Sequence, residues 1–173
     1  MQSQDQLGLE FTASQDESVV KYNAMLDRYL SSKQDTMPCL EEIIEFDNEM
    51  TMAHCLRGYM LKMSGDPRFS SAVSSSIDTV TACSLNEREQ MHLLALTSWA
   101  NNQYIEAARI LETLLAKYPK DILALRLVHY LHFYAGDATQ LRDSVTRAVN
   151  IWQPEDPFYG YLLGMHCFGL EEA

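Results

Sequence analysis

Two stretches of this 173-residue chain, one running from Tyr104 and the other from Ala138, repeat each other in register, which constrains the fold more than any other feature. Tyr104, Ala107, Leu111, Leu114 and Pro119 recur as Ala138, Leu141, Val145, Ala148 and Gln153, with Pro154 one place late. Upstream, Met91, Leu94 and Asn102 recur as Leu125, Val128 and Gly136. The apolar positions within each stretch lie three or four apart, which gathers them on one face of a helix. A period of about 34 residues, split between two amphipathic helices, is a unit that buries its apolar face only by stacking on its neighbours. The expectation is an all-α solenoid of antiparallel helix pairs with about nine helices in all.

The helical pattern extends upstream of the repeat. Val19, Val20, Tyr22, Asn23, Leu26, Tyr29 and Leu30 share a first helix face. Leu40, Ile43, Ile44 and Asp47 mark a second, with Thr36 as N-cap and Pro38 in the first turn. Thr51 opens a third, ended by Ser64-Gly65-Asp66-Pro67. A fourth helix over about 69–83 carries a serine run, Ser70 to Ser76, of poor helix propensity. Those serines suit either a phosphorylation cluster or, in better accord with repeat interfaces, close packing of small side chains. Asn86 and Glu89 form a capping-box pattern ahead of helices expected near 87–101, 104–117, 121–135 and 138–152. Residues 1–15 are polar and show no helical period, so a flexible lead-in is expected before a repeat domain over 16–173. The ninth helix, near 157–168, resembles the first helix of a further repeat with no partner behind it, as in a truncated array.

These features have the layout of tetratricopeptide repeats, two helices in roughly 34 residues, and that resemblance implies a right-handed superhelix. Several strings are more specific: Asn86-Glu-Arg-Glu-Gln-Met-His92, Tyr118-Pro-Lys-Asp-Ile-Leu-Ala-Leu125, Tyr134-Ala-Gly-Asp137, Arg142-Asp-Ser-Val145 and the segment from Trp152 to Leu170. They resemble the tetratricopeptide repeat protein 38 family, best over 86–173 and more dilutely back to about residue 17. The resemblance implies further repeats downstream and supplies no catalytic motif. Ser98 stands where such repeats often have Tyr, and His129 where a small residue is usual.

Composition narrows the function. The formal net charge is −11, with no basic stripe to displace counterions, so nucleic acid and anionic membrane surfaces are not expected partners. The first residues lack the basic head and apolar block of a secretory signal. Cys39, Cys55, Cys83 and Cys167 show no metal or disulfide spacing, and a cytoplasmic address follows as an expectation. No P-loop, dinucleotide fingerprint, HExxH or nucleophile elbow is present, so no catalytic residue and no cofactor is assigned. His129 and His132 sit three apart on one face without a third ligand on their helix, which favours core or interface histidines over zinc. Glu41, Glu42, Glu45, Asp47 and Glu49 have helical spacing and fit a solvated helix face.

The expected function is a non-catalytic scaffold that binds a peptide or protein segment in a concave groove. Repeat register assigns His92, Leu96, Trp99, Arg126, Tyr130, Phe133, Tyr134 and Tyr161 to that groove, with Glu89, Ala100, Leu123, Phe158, Met165 and Phe168 beside them. Trp, Tyr and Arg supply most binding hot spots, and Trp99→Ala or Tyr130→Ala should then abolish capture with helicity intact. The competing outcome is that these rings fill the core. The rival function is part of an enzyme or small-molecule site completed by missing C-terminal repeats, to which His129, His132 or His166 would contribute. Self-association through the unpaired last helix is a third.

Overall fold

The structure is a computed structural model that describes residues 2–173. Its described residues form nine α-helices and one short antiparallel ribbon. The ribbon joins β1 (Gln2–Gln4) to β2 (Glu10–Thr12). Helices α1 (Asp16–Leu30), α2 (Thr36–Phe46), α3 (Thr51–Met63) and α4 (Ser70–Thr81) follow, a 3-10 turn at Pro67–Phe69 preceding α4. Then come α5 (Glu87–Ala100), α6 (Tyr104–Lys117), α7 (Ile122–Ala135), α8 (Ala138–Val149) and α9 (Tyr159–Glu172). Each helix packs against its neighbour in the chain, and α3 also lies against α5 and α7 against α9.

The helix starts follow local chemistry. Glu89 N–H donates to Asn86 Oδ1 at 2.9 Å while Asn86 N–H donates to Glu89 Oε2 at 3.1 Å, the reciprocal cap expected for α5. Asp121 and Asp137 cap α7 and α8 through the amides of Ala124 and Gln140. Gly136, at φ 70°, closes α7 in the left-handed region that a side chain would strain.

The serine run does fold as helix α4. Val73, Ser76 and Val80 turn inward at helical spacing, and Ser76 Oγ accepts from Arg57 Nη1 at 3.2 Å. Ser70, Ser71, Ser74 and Ser75 face solvent. Close packing nearby depends on Gly58 of α3, because a Cβ there would stand 2.7 Å from Leu96 Cδ2.

Two expectations are corrected by the packing. The 1–15 lead-in is not loose over its described residues: the ribbon occupies 2–12, and Leu9, Phe11 and Ala13 are buried in the main core. Their period is two, so they line one face of an extended segment that a search for helical period passes over. Asp5 closes the turn by accepting the amides of Leu7 and Leu9 at 2.8 and 2.9 Å. Asp47 is likewise not on a solvated helix face. It caps the end of α2, is 2% exposed, and accepts from Ser14 N–H, Ser18 Oγ–H and Glu49 N–H. Burial resists its ionisation, but those bonds outweigh the cost and hold its pKa below the usual carboxylate value.

Candidate functional site

A row of aromatic rings crosses the helices α3, α5, α7 and α9. Tyr59 of α3 stacks at 5.9 Å on Trp99 of α5, and Trp99 at 5.8 Å on Tyr130 of α7. Tyr130 meets Tyr134 one turn later at 4.4 Å, and Phe133 meets both Tyr134 and Phe168 of α9 at 5.5 Å. The spacing of 130, 133 and 134 along α7 places the three rings on one helix face. The row runs from the interior to the surface: Tyr59 is fully buried and Trp99 nearly so, whereas Phe133 and Tyr134 are 45% and 69% exposed. Leu163 and Leu170 of α9 are also exposed.

Of the eight groove residues expected from the repeat register, three are corrected. His92, Leu96 and Trp99 are buried, because α3 lies directly over α5. Tyr59 covers His92 and Trp99 with its ring and donates its hydroxyl to the His92 carbonyl at 2.7 Å, while Gly58 admits Leu96. A partner cannot reach them, and Trp99→Ala would hollow the core rather than probe a groove. Glu89, Leu123 and Met165 are buried as well. Arg126, Tyr130 and Tyr161 are half-buried, and Phe133 and Tyr134 are exposed.

Arg126 pairs with no carboxylate among the described residues. Its charge reaches Tyr29, His129 and Tyr130. Burial raises the Tyr29 phenol to about 12 against the pull of Arg126, and Tyr130 rises to about 12 through burial and its Tyr134 neighbour. These phenols therefore stay neutral at physiological pH and act as hydrogen-bonding aromatic surface. Tyr161 Oη donates to Asp27 Oδ1 at 2.8 Å, which brings α9 against α1.

The histidines do not converge. His129 Nε2 lies 3.2 Å from the Met165 carbonyl, His132 Nε2 3.0 Å from Glu112 Oε1, and His166 Nε2 3.1 Å from Thr146 Oγ1. Glu112 also accepts from Ser144 and Arg147, so it ties α6 to α7 and α8. Burial opposes its ionisation, and the three donors prevail to lower its pKa. Among the described residues no group of three or more His, Cys, Asp and Glu side chains could hold a metal ion.

The most heavily charged buried cluster was not legible from helical periodicity. Arg88 Nη1 donates to Asp121 Oδ2 at 2.9 Å, and His92 Nε2 stands 3.0 Å from the same oxygen. Arg88, His92 and Asp121 are 2%, 0% and 1% exposed, so no substrate can reach them. Arg88 Nη2 also donates to the Glu10 carbonyl at 2.8 Å, and its guanidinium lies 4.4 Å from the Phe11 ring centre. Beside it Glu89 accepts from Thr12 N–H, Thr12 Oγ1–H and Thr51 Oγ1–H. The cluster fastens the ribbon to α3, α5 and α7. Burial works against the Asp121 carboxylate, yet His92, Arg88 and the Ala124 amide hold its pKa well below the usual range.

No family model matches this sequence, and no solved structure matches it. No helix among the described residues is long and apolar enough to cross a membrane.

Proposed function

We propose that this chain is a non-catalytic interaction scaffold, a right-handed tetratricopeptide-like solenoid that binds a protein or peptide segment on its inner face. The observation that carries this reading is the exposed end of the aromatic row, Phe133 and Tyr134, with Arg126, which pairs with no carboxylate among the described residues, two turns earlier on the same helix beside Tyr130. Exposed aromatic rings and arginine are among the side chains that dominate binding energy at protein interfaces. The repeat layout supports the architecture: α6 opens at Tyr104 and α8 at Ala138, one repeat period later, in two consecutive helix pairs. The strings that resemble the tetratricopeptide repeat protein 38 family fit the same proposal, as does a cytoplasmic location. The binding face is smaller than the full set of inner helices, since α3 and the ribbon already cover α5.

The test is a Phe133→Ser/Tyr134→Ser double variant beside the intact chain. Both positions are exposed but lose their ring contacts with Tyr130 and Phe168, so thermal stability should fall by about 0.5–1.5 kcal/mol per site with the fold retained. A partner captured by the intact chain and identified should then lose at least about tenfold in affinity in direct titration, the equivalent of one hot-spot contact. Equal affinity in a folded double variant would remove the aromatic end from the binding face.

A further inference from the structure

One arginine of this acidic chain is unlike the others. The formal net charge is −11, and every arginine except Arg126 stands in an ion pair with Asp or Glu. Arg126 is half-buried on α7 and has no such partner among the described residues. A guanidinium that loses part of its hydration with no anion beside it is uncompensated. It is also reachable. Arg88 Nε is sealed from solvent without a partner, whereas no nitrogen of Arg126 is among the sealed atoms.

The surroundings of Arg126 are aromatic rather than acidic. Tyr130, Phe133 and Tyr134 follow it at spacings of four, seven and eight residues, so all four share one face of α7. At the Arg126 end, Met63 of α3 accepts two phenols: Tyr29 Oη donates to its sulfur at 3.6 Å and Tyr130 Oη to its carbonyl at 3.5 Å. At the other end Phe133 and Tyr134 are exposed. A helix rises about 1.5 Å per residue, so Arg126 and the exposed rings are spaced roughly 10–12 Å along α7. A chain of polyproline pitch rises about 3.1 Å per residue with three residues per turn, which sets side chains i and i+3 on one side about 9 Å apart. The reach of the Arg and Tyr side chains covers the difference. A β-strand fits worse, because it turns i and i+3 to opposite sides.

We propose that the segment bound on this face is acidic and extended: an Asp or Glu side chain pairs with Arg126, and an apolar side chain three residues away lies against Phe133 and Tyr134. This rests on the scaffold reading and adds the chemistry of its ligand. A guanidinium is a two-pronged donor, so one carboxylate completes the pair without a second cation. A basic segment would meet like charge at Arg126. A second copy of this chain is the poorer occupant, because two molecules of charge −11 repel each other on approach.

The experiment titrates the intact chain into two end-blocked peptides carrying an uncharged fluorophore, Gly-Glu-Pro-Pro-Leu-Gly and the reverse order Gly-Leu-Pro-Pro-Glu-Gly, read by anisotropy. Saturable binding of one of them below about 1 mM is expected, with a loss of about tenfold when its Glu is replaced by Gln. Arg126→Gln should bring the Glu peptide down to the affinity of the Gln peptide and leave the latter unchanged, which a loss of structure would not do. Arg126→Lys keeps the charge without the fork and should retain part of the difference. Tyr134→Ser should weaken both peptides alike. Equal binding of the Glu and Gln peptides, a difference that survives Arg126→Gln, tighter binding of a Lys peptide, or no saturable binding in either direction would each overturn the proposal. So would dimerisation of the chain in light scattering that is lost in Arg126→Gln, which would make a second copy the occupant. A captured protein that loses affinity in Phe133→Ser/Tyr134→Ser but not in Arg126→Gln would overturn this inference and leave the scaffold reading standing.

Discussion

At the scale of the residue, the decisive groups are the few that carry charge into the interior. Asp121 and Arg88 are both nearly sealed from water, so each compensates the desolvation of the other. Asp121→Ala leaves the guanidinium unpaired and should cost about 3–5 kcal/mol in urea unfolding. The depressed pKa of Asp121 fixes the sign of its pH dependence. Its contribution is complete above the ordinary aspartate value near 4 and is lost as pH falls below it. Asp121→Asn should accordingly lessen the loss of stability below about pH 4. His129 acts in a separate window. Burial, helped by Arg126, pushes its pKa down to about 4, so the folded protein holds it neutral. The unfolded chain takes up that proton first, near the ordinary value of about 6.5. Stability is therefore lost as pH falls from about 6.5 toward about 4, and His129→Gln should flatten that slope in thermal unfolding.

At the scale of the element, close approach decides what each helix tolerates. Gly169 lets α9 reach the backbone of α8, where an added Cβ would lie 3.0 Å from Arg142 Cα and 3.1 Å from the Leu141 carbonyl. Neither atom can rotate away, so Gly169→Ala should lower stability by about 1–3 kcal/mol, read as a fall in the urea midpoint. The ribbon depends equally on one side chain. Two strands of three residues have little stability alone, and Phe11 is what the core holds of them, 2% exposed against Tyr22 and Arg88. Phe11→Ala should cost about 3–5 kcal/mol. Loss of amide protection in 2–12 at a smaller cost would mean that the ribbon detaches before the helices unfold.

At the scale of the whole molecule, helix order and the α5 cap were legible in the sequence, because they depend on neighbours three or four residues away. Thr51 opens α3 and the Asn86–Glu89 cap starts α5, as the pattern indicates, whereas Thr36, expected as the N-cap of α2, is its first helical residue and donates its hydroxyl to the Lys33 carbonyl at 2.6 Å. The candidate site was legible only in part. Register identified Arg126, Tyr130, Phe133, Tyr134 and Tyr161 as residues facing one way, but register is a direction along a helix and contains no information on what lies opposite. For His92, Leu96 and Trp99 the neighbour is α3, separated from α5 in the chain by the whole of α4, and it removes them from any surface. The ribbon was missed for a related reason. Its alternation of Leu9, Phe11 and Ala13 was present in the sequence, but the Arg88 and Glu89 groups that hold it lie on α5, with α1 to α4 in between. The sequence by itself determined the helices of this protein, since helix formation and capping are local hydrogen-bond chemistry. Only the tertiary structure decided which faces of those elements remain open, since burial depends on segments that chain order does not make adjacent.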